Sequence, residues 1–269
     1  MNILDKIIDC KKIEVEQRKE NCPIADLERS MFFNRQPYSF KKFITDPLKS
    51  GIIAEFKKKS PSRGIINDKV LPALVTKAYE NAGASAVSVL TDHDFFGGSN
   101  KDLIEARDVL TCPILRKDFI IDEYQIVEAK SIGADAILLI AACLEPEKLR
   151  VLADFAKFLG LEVLMEVHNK EELLKNLHDS IDVVGVNNRN LKDFSESIEN
   201  SLQLADLIPD KYVKISESSL KSAEIIVKLK GKGYKGFLIG ETFMKTEDPG
   251  KTMEKLVAEI KEESLKLKV

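Results

Sequence analysis

DAILLI, residues 135–140, sets five consecutive apolar side chains behind a single aspartate. A strand with one wetted face alternates apolar and polar residues, whereas a strand covered on both faces does not. The run therefore reads as a strand of a parallel sheet buried between layers of helices. Gly133 falls just past an amphipathic segment, at the place where a helix stops in the left-handed conformation. AGASAVSVL at 82–90 echoes IGADAILLI at 132–140, with Gly83 in the place of Gly133. Two equivalent strand–helix units leave such a weak repeat.

Outward from this pair, the same texture recurs as GIIAEF, CPILR, LEVLMEV, IDVVGV, KYVKIS and YKGFLIG. With SAVSVL and DAILLI, that makes eight runs spaced on average about 26 residues apart, the length of one strand plus one crossover helix. The segments between them are amphipathic, as in Leu71–Ala82, Asp122–Ser131, Pro146–Leu159 and Ser219–Lys230. Eight buried strands alternating with helices predict a closed (β/α)8 TIM barrel. The alternative is an open doubly wound sheet, but no GxGxxG follows the first strand, which disfavours its dinucleotide-binding form. Before Gly51 the chain reads as helical. Ile3, Leu4, Ile7, Ile8, Ile13 and Val15 are roughly helix-spaced, Pro23 can open a second helix over PIADLERSMF, and Tyr38 to Ile44 forms a third. The expected organisation is one domain over 1–269, with a helical extension at 1–50 and the barrel at 51–269.

Charged residues make up 32% of the chain yet nearly cancel, leaving a net charge of −3, so no broad basic field invites nucleic acid. Cys10, Cys22, Cys112 and Cys143 form no CxxC pair and have no histidine nearby, so they are expected to be reduced, mostly buried thiols. His93, His168 and His178 are too few and too scattered for a metal centre. The amino terminus lacks a signal-peptide apolar run, and no stretch is long enough to span a membrane. A cytoplasmic enzyme is the expectation, with a monomer as its simplest state.

In a barrel of this kind, polar residues at the carboxyl ends of strands carry the chemistry. Glu55, Lys57 and Lys59 end the first strand, Arg116 and Lys117 the third, Glu166 the fifth, and Asn187 and Arg189 the sixth. Ser216, Glu217 and Ser218 end the seventh, and Gly240 the eighth. Strand alternation puts Ile53, Glu55 and Lys57 on the axis side with Leu115, Lys117, Leu164 and Glu166, and turns Phe56 outward. Taken singly, KKK is a solvated charge run and each other residue a surface one. Two lysines, two glutamates and an asparagine, each placed just after a core strand, make an active site. SESS (216–219) leads into a helix whose free N–H groups suit a phosphate. LIGETFM (238–244) follows the last strand, where a short extra helix commonly does the same; Glu241 can contribute there only through its backbone.

These residues also resemble a known family. IAEFKKKSPSRG, TDHDFFGGS, LRKDFIID, LMEVHN, GVNNRNL, ISESS and FLIGETFM are similar, in order, to indole-3-glycerol-phosphate synthase of tryptophan biosynthesis, over Gly51 to about Lys251. The resemblance implies a carboxy-lyase that closes an indole ring. The aromatic ring of a carboxyphenylamino-deoxyribulose phosphate attacks its ketone, carbon dioxide leaves, and water follows. The ring is itself the nucleophile, so no metal or organic cofactor is implied, and the partner is this phosphorylated small molecule. Carried onto this chain, the catalytic set is Glu55, Lys57, Lys117, Glu166, Asn187 and Ser218. Lys117 is the expected general acid and Glu166 the proton-transfer carboxylate. Lys57 meets the substrate carboxylate or assists dehydration, Glu55 holds the lysines charged, and Asn187 bonds a hydroxyl. Lys59, Ser218, Ser219, Gly240 and the Glu241 N–H fall at phosphate positions, and Arg189, Glu217 and Leu238 at other binding positions. Phe96 and Phe119 bracket the aromatic ring, and Ser60 lies in a first loop expected to act as a lid. Lys58 is expected to be dispensable. One position departs from the family: SESG is usual where Ser219 stands, which puts phosphate affinity in question. A Schiff-base aldolase on the same barrel would instead use Lys117 or Lys57 as a nucleophile of depressed pKa.

Overall fold

The structure is a computed structural model and describes residues 3–190, 195 and 197–266; Leu191, the last residue of the GVNNRNL motif, lies outside them. Eight strands are present where the apolar runs predict them: β1 (Ile52–Phe56), β2 (Ala86–Leu90), β3 (Ile114–Lys117), β4 (Ala136–Ile140), β5 (Glu162–Val167), β6 (Val183–Asn187), β7 (Val213–Glu217) and β8 (Gly236–Ile239). Each pairs in parallel with its sequence neighbours, and β1 closes on β8, Ile53 opposite Leu238, to complete the barrel. The open-sheet alternative is thereby removed.

Strand alternation sorts the core into two layers. Ile53, Leu115, Leu138, Leu164, Ile215 and Leu238 fill the inside of the barrel. Phe56, Val87, Ile114, Val163 and Phe237 point outward and are buried beneath the helices. Phe40 and Ile44, from the helix Phe40–Thr45, pack with the inner layer. Each such fully buried side chain contributes about 1.5–3 kcal/mol.

The helical extension differs in detail from its expectation. The first helix, α1, spans Ile3–Asn21 and buries Ile7, Lys11 and Val15, while Ile13 stays 62% exposed. The buried stripe thus runs at four-residue spacing through a lysine, which a count of apolar residues cannot anticipate. The segment after Pro23 forms only the single turn Ile24–Leu27, and Ser30 then leaves the helix to donate to the carbonyl of Ser131 at 2.8 Å. The helix expected from Ser219 begins at Ala223, because Ser218 and Ser219 both have positive φ and cannot enter a right-handed helix. Of the cysteines, all free, only Cys112 is buried and Cys10 is exposed, so the expectation of mostly buried thiols fails. Among the described residues, no helix is long and apolar enough to cross a membrane.

Candidate active site

β1, β3, β5, β6 and β7 deliver their last inward-facing residues to one cavity at the carboxyl end of the barrel. Glu55, Lys57, Lys117, Glu166, Asn187, Glu217, Ser218 and Leu238 all line it, roofed by Ser60, Phe96, Phe119 and Arg189 from the loops. α1 adds Ile3, Leu4 and Ile7 to the wall. The rings of Phe96 and Phe119 lie 6.0 Å apart between centroids, tilted by 38°, at the cavity edge. The outward-facing neighbours have other work. Arg116 is fully buried, donating to Thr91 Oγ1 at 3.0 Å and the Gln125 carbonyl at 2.7 Å. Asn188 donates to Ser216 Oγ at 2.9 Å and the Ser218 carbonyl at 3.2 Å, fixing the loop after β7.

Two ion pairs and a neutral acid account for the polar floor. Lys57 Nζ lies 2.6 Å from Glu55 Oε1, and Lys117 Nζ lies 3.0 Å from Glu166 Oε2 and 3.6 Å from Glu217 Oε2. Burial alone would lower the pKa of Lys117, but the neighbouring carboxylates, Glu166 first, outweigh it and raise the pKa above the ordinary lysine value. Burial would likewise raise Glu166; Lys117, His168 and Asn187, whose Nδ2 donates to Oε1 at 3.1 Å, lower it instead to about 2. Glu217 goes the other way, to about 8, chiefly through burial, with Lys117 opposing and Glu166 and Glu55 reinforcing. Its Oε1 has no hydrogen-bond partner. The shifts favour an ammonium at Lys117, an ionised Glu166 and a protonated Glu217 side by side.

Close packing protects this arrangement. A Cβ at Gly185 would sit 2.3 Å from Glu217 Oε1, and one at Gly240 would sit 2.5 Å from Glu55 Oε1. Glycine is needed at both positions so that the carboxylates can occupy the axis.

A second cavity adjoins the first, lined by Ser218, Ser219, Gly240 and Glu241 together with Arg63, Arg189, Lys221 and Lys245. The short helix expected after β8 is present as Glu241–Met244. The Glu241 carboxylate turns to Arg63 Nε at 3.1 Å and Arg189 Nη2 at 3.6 Å, joining the first, sixth and eighth loops. Lys59 is not brought here: its Nζ donates to the Asp94 carbonyl at 2.8 Å. Arg63, Lys221 and Lys245 are the cations that sequence reasoning missed, although each lies within or beside a quoted motif. The first loop forms a small hairpin, Lys59–Ser60 against Gly64–Ile65, and Ser62 Oγ accepts from Arg189 Nη1 at 2.7 Å. Lys58 is anchored by both oxygens of Asp102 at 2.8 Å, a structural tie outside the cavity. His168, also missed, lines the active cavity with Nε2 3.4 Å from Glu166 Oε1.

Ser219 adopts φ +60° with its hydroxyl buried and unpartnered. The left-handed conformation costs a non-glycine residue about 1–2 kcal/mol, of which glycine's extra unfolded-state freedom returns about 0.4–1. Ser219→Gly is therefore expected to gain about 1 kcal/mol in urea unfolding, and to bind inorganic phosphate at least as tightly. Unchanged or lower stability would show that the serine is not strained.

Comparison with known proteins agrees with this geometry. A family model described as indole-3-glycerol phosphate synthase matches residues 4–256. The indole-3-glycerol phosphate synthase of Bacteroides thetaiotaomicron is 47% identical over 259 residues, covering 96% of this chain and 99% of that one. The protein of the same name from Polynucleobacter necessarius is 41% identical, covering 95% and 98%. Among solved structures, a mutant tryptophan synthase alpha-subunit from the hyperthermophile Pyrococcus furiosus superposes with a TM-score of 0.60 at 14% identity, covering 80% of this chain and 98% of that one, which shows the shared barrel alone. By its sequence over nearly its whole length, the chain belongs to the indole-3-glycerol phosphate synthase family.

Proposed function

We propose that Lys117 is the general acid, and Glu166 the base, of the ring closure by which this carboxy-lyase of tryptophan biosynthesis makes indole-3-glycerol phosphate. The observation that carries these roles is the Lys117–Glu166 pair, 3.0 Å apart at the floor of the cavity. The ring carbon bearing the carboxylate bonds to the ketone carbon, and the carbonyl electrons move to oxygen, which takes a proton from Lys117. The bond to the carboxylate breaks, its electron pair restores the ring, and carbon dioxide leaves. Glu166 then removes a proton from the neighbouring methylene while the hydroxyl takes a second proton from the reloaded Lys117 and leaves as water. The ammonium character of Lys117 favours acid catalysis over the nucleophilic role a Schiff-base aldolase would need, since an amine nucleophile requires a depressed pKa.

The remaining roles follow from position. Phe96 and Phe119 flank the anthranilate ring, Lys57 meets its carboxylate, and Asn187 and Glu217 bond hydroxyls. Arg63, Lys221, Lys245 and the backbone of Ser218, Ser219 and Gly240 hold the phosphate; the Phe243 and Met244 N–H groups reach back to the Gly240 carbonyl, so the N–H groups the short helix leaves for it are those of Glu241 and Thr242. Ser60, at the roof, covers the bound substrate. No cofactor enters this scheme. Because α1 contributes to the cavity wall, the extension and the barrel are read as one domain, working as a cytoplasmic monomer. Incubation with the carboxyphenylamino substrate is expected to yield fluorescent indole-3-glycerol phosphate and an equal amount of carbon dioxide. No product at micromolar enzyme would refute the assignment.

A further inference from the structure

The reaction consumes a proton. Two are donated, one to the ketone oxygen and one to the departing hydroxyl, whereas only one is recovered from the methylene carbon. Each turnover therefore draws one proton from solvent into a cavity whose acid and base are buried. We propose that His168 delivers this proton to the Glu166–Lys117 pair, with Glu172 as its outer partner. The inference rests on the reaction assigned above and goes beyond it by adding a positioning residue that acts through Glu166.

The geometry forms a continuous line. Lys117 Nζ is 3.0 Å from Glu166 Oε2, and His168 Nε2 is 3.4 Å from the other oxygen, Oε1. His168 Nδ1 is 3.4 Å from Glu172 Oε2, which also accepts from the His168 backbone N–H at 2.7 Å. Neither ring nitrogen makes a formed hydrogen bond, so the imidazole is free to close on one carboxylate or the other by a small shift. Exposure rises along the line, from 5% at Glu166 to 10% at His168 and 19% at Glu172. His168 lines both the active cavity and a separate polar cavity that contains Glu172 and Asn200, so it stands in the wall between them. Asn200 fixes that wall, donating to the carbonyls of His168 and Asn187 at 2.8 Å each.

The charged and titratable groups around the ring are Glu166 on β5, Glu172 on the helix Lys170–Asn176, Lys117 on β3, Arg189 after β6 and Cys143 after β4. Burial would lower the imidazole pKa, but the Glu172 contact and the charges of Glu166 and Glu172 outweigh it, with Lys117 opposing, and the net shift is upward. The ring thus keeps its proton to higher pH than an ordinary imidazole. In the transfer, the His168 Nε2–H bond breaks and a Glu166 O–H bond forms. The carboxyl turns, its O–H bond breaks, and the proton restores the Lys117 ammonium after its first donation. His168 regains its proton from solvent on the Glu172 side. The proton that Glu166 later takes from the methylene carbon reloads Lys117 once more, and the cycle balances.

His168→Gln is expected to lower kcat about tenfold or more with KM within about twofold, and to change the alkaline limb of the kcat–pH profile. Added imidazole buffer should restore turnover in a saturable way. Glu172→Gln, further from the cavity, should give a smaller loss in kcat with the same change in profile. The relay is overturned if His168→Gln keeps the wild-type kcat and profile. It is equally overturned if kcat falls but imidazole restores nothing and Glu172→Gln behaves as wild type, since that is the signature of a structural role. A wild-type chain that makes no product overturns the assigned reaction, and the relay with it. Should His168→Gln fail to fold, the profile of Glu172→Gln decides alone.

Discussion

Lys117→Ala is expected to lose turnover by about 10³-fold while still binding substrate, because a positioned general acid contributes about 10²–10⁴. Two effects combine in this variant. The ketone oxygen loses its proton donor, so the alkoxide forms without the ammonium that would neutralise it. Glu166 also loses the largest of the charges that hold it ionised, and is less available as a base in the second half of the reaction. Binding should survive, because the residues proposed to hold the phosphate, Arg63, Lys221 and Lys245, line the adjoining cavity, and Phe96 and Phe119, proposed to flank the ring, are untouched. Equilibrium titration and single-turnover kinetics separate the two. Near-normal turnover would assign the acid elsewhere, with Lys57 the nearest candidate.

The second large effect lies outside the cavity. Lys11, on α1, is 1% exposed and places its ammonium 2.9 Å from Asp92 Oδ2, 2.9 Å from Asp118 Oδ1 and 2.7 Å from Glu14 Oε2. Asp118 directly follows Lys117 and accepts from the Phe119 N–H at 2.8 Å. Asp92 accepts from the N–H groups of Phe95 and Phe96 at 2.9 and 3.2 Å. One lysine therefore ties the extension to both loops that present the aromatic pair. Burial opposes its charge, but the three carboxylates outweigh burial and raise its pKa, so it is charged whenever the protein is folded near neutral pH. Breaking a buried ion pair by removing one partner costs about 3–5 kcal/mol. Lys11→Met should accordingly lower Tm by roughly 10 °C and raise KM more than it lowers kcat. Calorimetry and steady-state kinetics on the same preparation check this; a variant as stable as wild type would show that the cluster re-forms without its cation.

Lys11 also shows where the sequence stops being legible. The barrel could be read because its strands are buried on both faces, and an unbroken apolar run such as AILLI, bounded by turn residues, suits little else. The inward direction of Glu55, Lys117 and Glu166 followed from strand alternation, which is a property of the backbone alone. Neither rule reaches Lys11, since a charged residue on a helix is ordinarily solvated and only two aspartates from distant loops make this one an anchor. Loops have no period, so the sequence points to Lys59 for phosphate and passes over Arg63; in the folded hairpin Lys59 meets Asp94 and Arg63 meets Glu241. A lone histidine after a strand carries no signal of its own, and His168 gains meaning from two glutamates four residues apart or closer on either side. Ser219 was legible as a departure but not as a strained one, because φ is not written in residue identity.

The most direct test of the account is reduction with borohydride during turnover, followed by intact-protein and peptide mass measurement. If the ammonium of Lys117 works as an acid, indole-3-glycerol phosphate accumulates while the protein mass stays unchanged. A reduced substrate adduct on Lys117 or Lys57 would contradict it, and would make the lysine a nucleophile.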